Sequence, residues 1–202
     1  MTQARGLPQC LERLIGPEKA AAITTRRLML RRPRMADAAD FFAFARDDEV
    51  ARYVMWDTHT HIRDSRRALR GILARTRAQG AETFAICPRD TGRLIGTIGP
   101  VWLDWDNRAC EVGFSLARPY WGQGLLTEAL GAFLGYAFQG LGLNRVEGQY
   151  DLRNPASGRV MEKAGMAREG ELRQRLHYKG QYADVGLYAI THDAWRHQGS
   201  KP

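Results

Sequence analysis

A chain of 202 residues is one domain by prior and long enough to bury a core, and 44% apolar residues with five tryptophans fit a globular protein. No apolar run approaches a membrane span, and Met1 to Pro8 carries one arginine and no apolar core, which argues against a secretory signal and for a cytoplasmic protein. The net charge of +8 comes mainly from arginines spread along the whole chain, with lysine only at 19, 163, 179 and 201, and no aromatic interleaving or motif accompanies them, which argues against dedicated nucleic-acid binding.

Residues 1–23 read as a leader, with Gly6, Pro8, Gly16 and Pro17 and a short helical piece at Leu11–Ile15. Leu28 and Leu30 among arginines predict a first strand ended by Pro33. Asp37 is placed to cap a helix through Phe41, Phe42, Phe44 and Ala45, and a short helix follows at Glu49–Tyr53. After the loop Trp56–His61, apolar Ile62, Leu69, Ile72 and Leu73 oppose Arg63, Arg66, Arg67 and Arg70. That predicts an amphipathic helix over Arg63–Ala78 closed by Gly80. The period then changes: Thr83–Cys87 and Leu94–Gly99 form a hairpin, and Asp104–Asn107 turns the chain into a strand over Ala109–Leu116. Later come a strand at Arg145–Tyr150, a helix at Pro155–Ala164 between Asn154 as cap and Gly165, and strands near Ala167–Arg173 and Asp184–Ile190. This is α+β order, with one domain over 24–197 and a tail over 198–202.

Cys10, Cys87 and Cys110 are odd in number and lack metal-ligand spacing, as expected of idle thiols in a reducing compartment. His59 and His61 have no visible third ligand, so no metal is expected.

The stretch Arg118–Glu128 concentrates the chemistry. Pro119 ends the strand, Gly122 and Gly124 bracket Gln123, and Leu126, Ala129, Leu130, Phe133, Leu134, Ala137 and Phe138 then recur at helical spacing. Glycines before a helix N-terminus can cradle phosphate on unpartnered N–H groups, with Thr127 adding a hydroxyl. A tight turn feeding a core helix explains the same residues equally well. Neither a Walker A loop nor a dinucleotide fingerprint is present, because no Lys-Ser/Thr pair follows and Thr127 stands where a third glycine would be.

The succession from this loop to Asn154-Pro155-Ala156-Ser157 and on to Gly165 resembles the GNAT superfamily of N-acetyltransferases, over about Thr24 to Trp195. It is most similar to the branch containing the ribosomal-protein N-terminal acetyltransferases. The resemblance implies a mostly antiparallel sheet of about seven strands with helices on both faces and two central parallel strands, Ala109–Leu116 and Arg145–Tyr150, that splay apart. It implies acetyl-CoA as co-substrate, held by Phe114, Ser115, Leu116, the loop Trp121, Gly122, Gln123, Gly124, Leu125, Leu126 and Thr127, and Asn154 with Ser157. Trp121 replaces the family's usual polar residue and Leu126 its small one.

The implied reaction is direct attack of an amine on the thioester through a tetrahedral intermediate. Ser157 and Tyr150 are candidates to protonate the thiolate, and Glu111 to take the amine's proton. Each has a plainer reading. Ser157 is also an ordinary first-turn serine, Glu111 a polar strand residue facing solvent or an arginine, and Tyr150 a core residue with a wet tip. The acceptor site is expected around Trp56–His61, Trp102–Asn107 and His177–Tyr182, which are aromatic-rich with few acids. A protein or peptide N-terminus is the favoured acceptor. A polyamine or aminoglycoside, and a non-catalytic CoA-binding module, stay open as alternatives, as does a homodimer.

Overall fold

A computed structural model describes residues 22–198. Eight strands form one sheet, in chain order β1 (Ile23–Thr24), β2 (Leu28–Arg31), β3 (Phe84–Pro88), β4 (Gly96–Asp104), β5 (Ala109–Leu116), β6 (Arg145–Asp151), β7 (Ala167–Tyr178) and β8 (Gln181–Thr191). Their spatial order is β1-β2-β3-β4-β5-β6-β8-β7. Every neighbouring pair is antiparallel except β5 and β6. The helices are α1 (Ala38–Ala45), α2 (Asp48–Ala51), α3 (Ile62–Gln79), α4 (Leu125–Gly135), α5 (Pro155–Lys163) and α6 (His192–Gln198). α4 runs on into a wider π-helical turn over Tyr136–Gly140.

Strand alternation decides which helix covers which face. Leu28, Leu30, Phe84, Ile86, Ile98 and Val112 point to one side and meet Leu125, Ala129, Leu130, Phe133 and Leu134 of α4. Ala85 and Cys87 point to the other side, where they pack under Phe41, Phe44, Leu69 and Ile72 of α1 and α3. Burying both faces explains why Phe84–Cys87 is a continuous apolar run rather than an alternating one. Each of these fully buried large side chains contributes roughly 1.5–3 kcal/mol. Burial also raises the Cys87 thiol to about 11 and the Cys110 thiol to about 12, so both stay protonated near neutral pH.

Several expected boundaries move. The short helix is Asp48–Ala51 rather than Glu49–Tyr53, because Asp47 accepts from the Glu49 amide and starts it earlier. The hairpin's return strand begins at Gly96, not Leu94, and runs past Pro100 to Asp104. Asp37 stands just before α1 but does not cap it. Its carboxylate instead takes the Arg34 amide and two bonds from the Arg31 guanidinium. The last two strands are longer than expected, and the supposed loop His177–Tyr182 is a two-residue turn with Lys179 at φ 50 and Gly180 at φ 75. The leader helix at Leu11–Ile15, Cys10 and residues 199–202 lie outside the described residues. Gln198 closes α6 and donates to the Gly165 carbonyl. On α3 the arginines at 63, 66, 67 and 70 are exposed and Leu69 and Ile72 buried, as the amphipathic pattern predicts, while Leu73 is half-buried and Ile62 in the first turn is exposed.

Candidate active site

The only parallel pair of the described sheet supplies the site. β5 and β6 are in register at Ala109 with Arg145, Cys110 with Val146 and Glu111 with Glu147, and there the pairing stops. β5 continues to Leu116 and β6 to Asp151, each still bonded to its antiparallel neighbour on the far side. From Val112 onward the β5 edge facing β6 therefore has no strand partner. Backbone groups so exposed need another partner, and an extended ligand arm can supply one.

At the end of that edge the chain turns through Arg118–Tyr120 into the glycine loop. Gly122 and Gly124 both have φ 72, a left-handed conformation natural to glycine, and a Cβ on Gly122 would meet nothing within 4 Å. Gly124 is the N-cap of α4, and the Glu128 amide donates to its carbonyl. The first-turn amides of α4 thus open onto an exposed surface at the positive end of a helix, which suits a phosphate. Of the residues predicted to hold the cofactor, Leu116 and Leu125 are buried core side chains, so only their backbone is available to a ligand. Trp121 turns its one polar atom back onto the strand. Its indole N–H donates to the Leu116 carbonyl at 2.7 Å and clips the loop to the strand end.

A cation nevertheless reaches the loop from elsewhere in the chain. Arg27, between β1 and β2, donates Nη1 to the Gln123 carbonyl at 2.8 Å, and its Nη2 lies 3.6 Å from where a Gly124 Cβ would be. Glu128 orients it, accepting from Arg27 Nε at 2.7 Å, the Arg27 amide at 2.8 Å and the Thr25 hydroxyl at 2.6 Å. Arginines flank the first strand in the sequence, but nothing in their spacing points to a loop about a hundred residues away.

Across the gap, Asn154 precedes α5 but makes no side-chain cap; its Nδ2 donates to Ser157 Oγ at 3.0 Å. That bond occupies a lone pair of the hydroxyl and leaves its proton free to point elsewhere. Tyr150 is committed to packing. A Cβ on Gly158 would meet its ring at 2.9 Å and one on Gly186 at 2.3 Å. Its side chain also lies on the α5 face, opposite Glu111, so the structure does not bring those two candidates together.

Glu111 lies on the face away from α4, at the last paired position before the gap. A bulge in β4 places Trp102 opposite it, with Val101 as the extra residue. Trp102 Nε1 donates to Glu111 Oε2 at 2.8 Å, and Gln149 Nε2 donates to the same oxygen at 3.1 Å from β6. Burial raises the Glu111 carboxyl above the usual glutamate range. Trp102 opposes this, Glu147 adds to it, and Arg175 opposes it again from a distended stretch of β7 in which Arg173–Arg175 face Asp184. A carboxyl raised in this way holds a proton more readily than an ordinary glutamate.

The surroundings of this face differ from those expected. Trp56 and His59 of the 56–61 loop pack on Phe44 and Phe41, and His59 Nδ1 sits 2.8 Å from Ser65 Oγ. Asp104 and Asp106 belong to the turn at the far end of β5, before Ala109, and so lie away from the gap. The β7–β8 tip reaches over instead, with Lys179 Nζ bonded to the Ala51 carbonyl at the end of α2. Its base is tied down by Asp151, which accepts from Arg153 and from the Tyr178 hydroxyl. Burial alone would raise that carboxyl, but these bonds outweigh it and hold it at about 2. Among the described residues no group of three or more His, Cys, Asp or Glu could hold a metal, and no helix is long and apolar enough to cross a membrane.

Comparison with known proteins gives this geometry a context. Residues 27–167 match the acetyltransferase (GNAT) domain. The chain is 32% identical over 169 residues to the uncharacterized N-acetyltransferase YoaA of Bacillus subtilis, covering 84% of this chain and 96% of that one. It is 31% identical over 131 residues to the ribosomal-protein-serine acetyltransferase of Escherichia coli, covering 65% of this chain and 72% of that protein. Among solved structures, a GNAT-family acetyltransferase from Bacillus anthracis superposes with a TM-score of 0.76 at 26% identity, over 85% of this chain and 99% of its own.

Proposed function

The chain belongs to the GNAT acetyltransferases, enzymes that move an acetyl group from acetyl-CoA to an amine, and on that premise we propose that its acceptor is the N-terminal amine of a protein or peptide. The single observation that carries this reading is the charge of the acceptor side. Asp47 is bound by Arg118, Asp151 by Arg153 and Glu147 by Arg145, whereas Glu111 beside the gap is held only by the neutral donors Trp102 and Gln149 and can meet an ammonium. A polyamine or aminoglycoside brings several ammonium groups, each needing a carboxylate to offset its desolvation, and the net charge of +8 repels them at long range. The relative from Escherichia coli that acts on a ribosomal protein supports the same choice.

In this reading the free edge of β5 pairs with the pantetheine arm, and the Gly122–Thr127 amides with Arg27 bind the pyrophosphate. Both strands thereby aim the thioester at the point where the gap closes. Glu111 takes a proton from the ammonium: an N–H bond breaks, an O–H bond forms, and the freed lone pair attacks the thioester carbon. The Ser157 hydroxyl donates to the thiolate sulfur as it leaves. Fixing both reactants at one point supplies much of the acceleration.

The test is thiol release from acetyl-CoA with an Ala- or Ser-initiated peptide, spermidine or kanamycin at equal concentration. The peptide should be fastest. Faster release with spermidine or kanamycin would overturn the acceptor assignment. Absence of release with all three would favour a binding module.

A further inference from the structure

Gln149 stands two residues beyond the last β6 residue paired with β5, where no backbone bond spans the gap. Its side chain shares a face with Glu111, because Glu147 does and strand side chains alternate. Its Nε2 reaches Glu111 Oε2, so a side-chain bridge continues across the gap where the ladder has ended. The other half of the amide is unusual. Gln149 Oε1 is buried, and no hydrogen bond reaches it from the described residues. Buried amide oxygens are nearly always paired, and an unpaired one calls for a reason.

We propose that Gln149 is a positioning residue that holds Glu111 in both of its protonation states, Nε2 serving the carboxylate and the unpaired Oε1 serving the carboxylic acid. The proposal rests on Glu111 acting as the base. An ionised carboxylate only accepts hydrogen bonds, so the amide must present its NH₂ group, as it does. Once Glu111 has taken the proton it becomes a donor, and the same amide answers by turning end for end about its last torsion. That turn exchanges one bond for another and breaks no third, because Oε1 has no partner to lose. Had Oε1 been satisfied elsewhere, the amide would be locked and the protonated Glu111 would face an N–H group. Trp102 cannot make this exchange, since an indole N–H is a donor only. The groups facing Glu111 are Trp102 from β4, Glu147 from β6 with its partner Arg145, and Arg175 from β7. None of these offers a neutral acceptor.

Two variants separate this role from simple packing. Gln149→Met keeps the volume and removes both functions. Turnover with a peptide acceptor should fall about tenfold, with acetyl-CoA affinity unchanged, because a hydrogen bond to a charged group is lost. The acid limb of its pH–rate profile should move up by less than about one pH unit, since the donor lost by the ionised form is worth more than the acceptor lost by the acid. Gln149→Lys keeps a donor, removes the acceptor and adds a cation, so its acid limb should move down while turnover again falls because the protonated Glu111 has no acceptor to turn to. Opposite displacements support the proposal. Unchanged limbs in both variants, or displacement in the same direction, overturn it; if only one variant folds, an unchanged limb or one displaced against its expected direction overturns it. Glu111→Gln measured alongside keeps the two levels apart. If that variant retains the parent rate, Glu111 is not the base and the premise fails. If it loses activity while Gln149→Met stays normal, only the role of Gln149 fails.

Discussion

On the α4 side of the gap the groups facing the opening belong mostly to the main chain, the unpaired edge of β5 from Val112 to Leu116 and the amides of the glycine loop, with Arg27 and Ser157 as the side chains beside them. On the opposite side they are side chains, Trp102, Glu111 and Gln149, delivered by three different strands, with Arg175 acting on Glu111 from a fourth. A main-chain site is fixed by backbone conformation and tolerates many side chains, so it suits the invariant half of a reaction. A side-chain site changes with each substitution, so it suits the half that selects an acceptor. Substitutions should therefore act differently on the two sides.

The largest effect is expected at Glu111. Glu111→Gln should lower kcat/KM about 10³-fold while leaving acetyl-CoA affinity near the parent value. Burial, reinforced by Glu147, raises this carboxyl, so the competent carboxylate is lost as pH falls through that raised value. The parent acid limb should accordingly lie above the usual glutamate range, and in Glu111→Gln it should move further up, toward the amine's own titration. A pH–rate profile of both proteins reads this directly.

Ser157→Ala should come next, lowering turnover about 10²-fold with little change in acetyl-CoA binding, because a donor to the thiolate matters as the bond breaks. Its readout is kcat at saturating substrates beside a calorimetric dissociation constant. Parent turnover in this variant would return Ser157 to a first-turn serine held by Asn154.

The smallest effect belongs to the main-chain side. At Gly124 the φ of 72 makes a β-branched replacement strained whatever the ligand does, so alanine is the informative change. Gly124→Ala should cost about 1 kcal/mol of stability and weaken acetyl-CoA several-fold with kcat nearly intact. A large loss of kcat there would blur the division between the two sides.

The same contrast explains what could be read from the sequence. The half proposed to hold the cofactor lies in two contiguous stretches, Ala109–Glu128 and Asn154–Gly165, whose proline, glycines and helical period report a local conformation directly. The acceptor half is a juxtaposition, and local pattern is silent about it. Gln149 reads as one polar residue in a short strand, and Arg27 as one arginine among several. Pro100 actively misleads, since proline usually ends a strand, yet here it sits at the bulge that turns Trp102 onto Glu111. Asn154 was correctly placed before α5 but not correctly employed, because its amide met the Ser157 hydroxyl rather than a backbone amide.

Amide hydrogen exchange with and without acetyl-CoA tests the division most directly. With acetyl-CoA alone, amides of Phe114–Leu116 and Gly122–Thr127 should gain protection, while those of Trp102 and the turn at Lys179–Gly180 should exchange as in the free protein. Protection of the second set with none at the first would contradict the placement of the cofactor along β5 and its glycine loop.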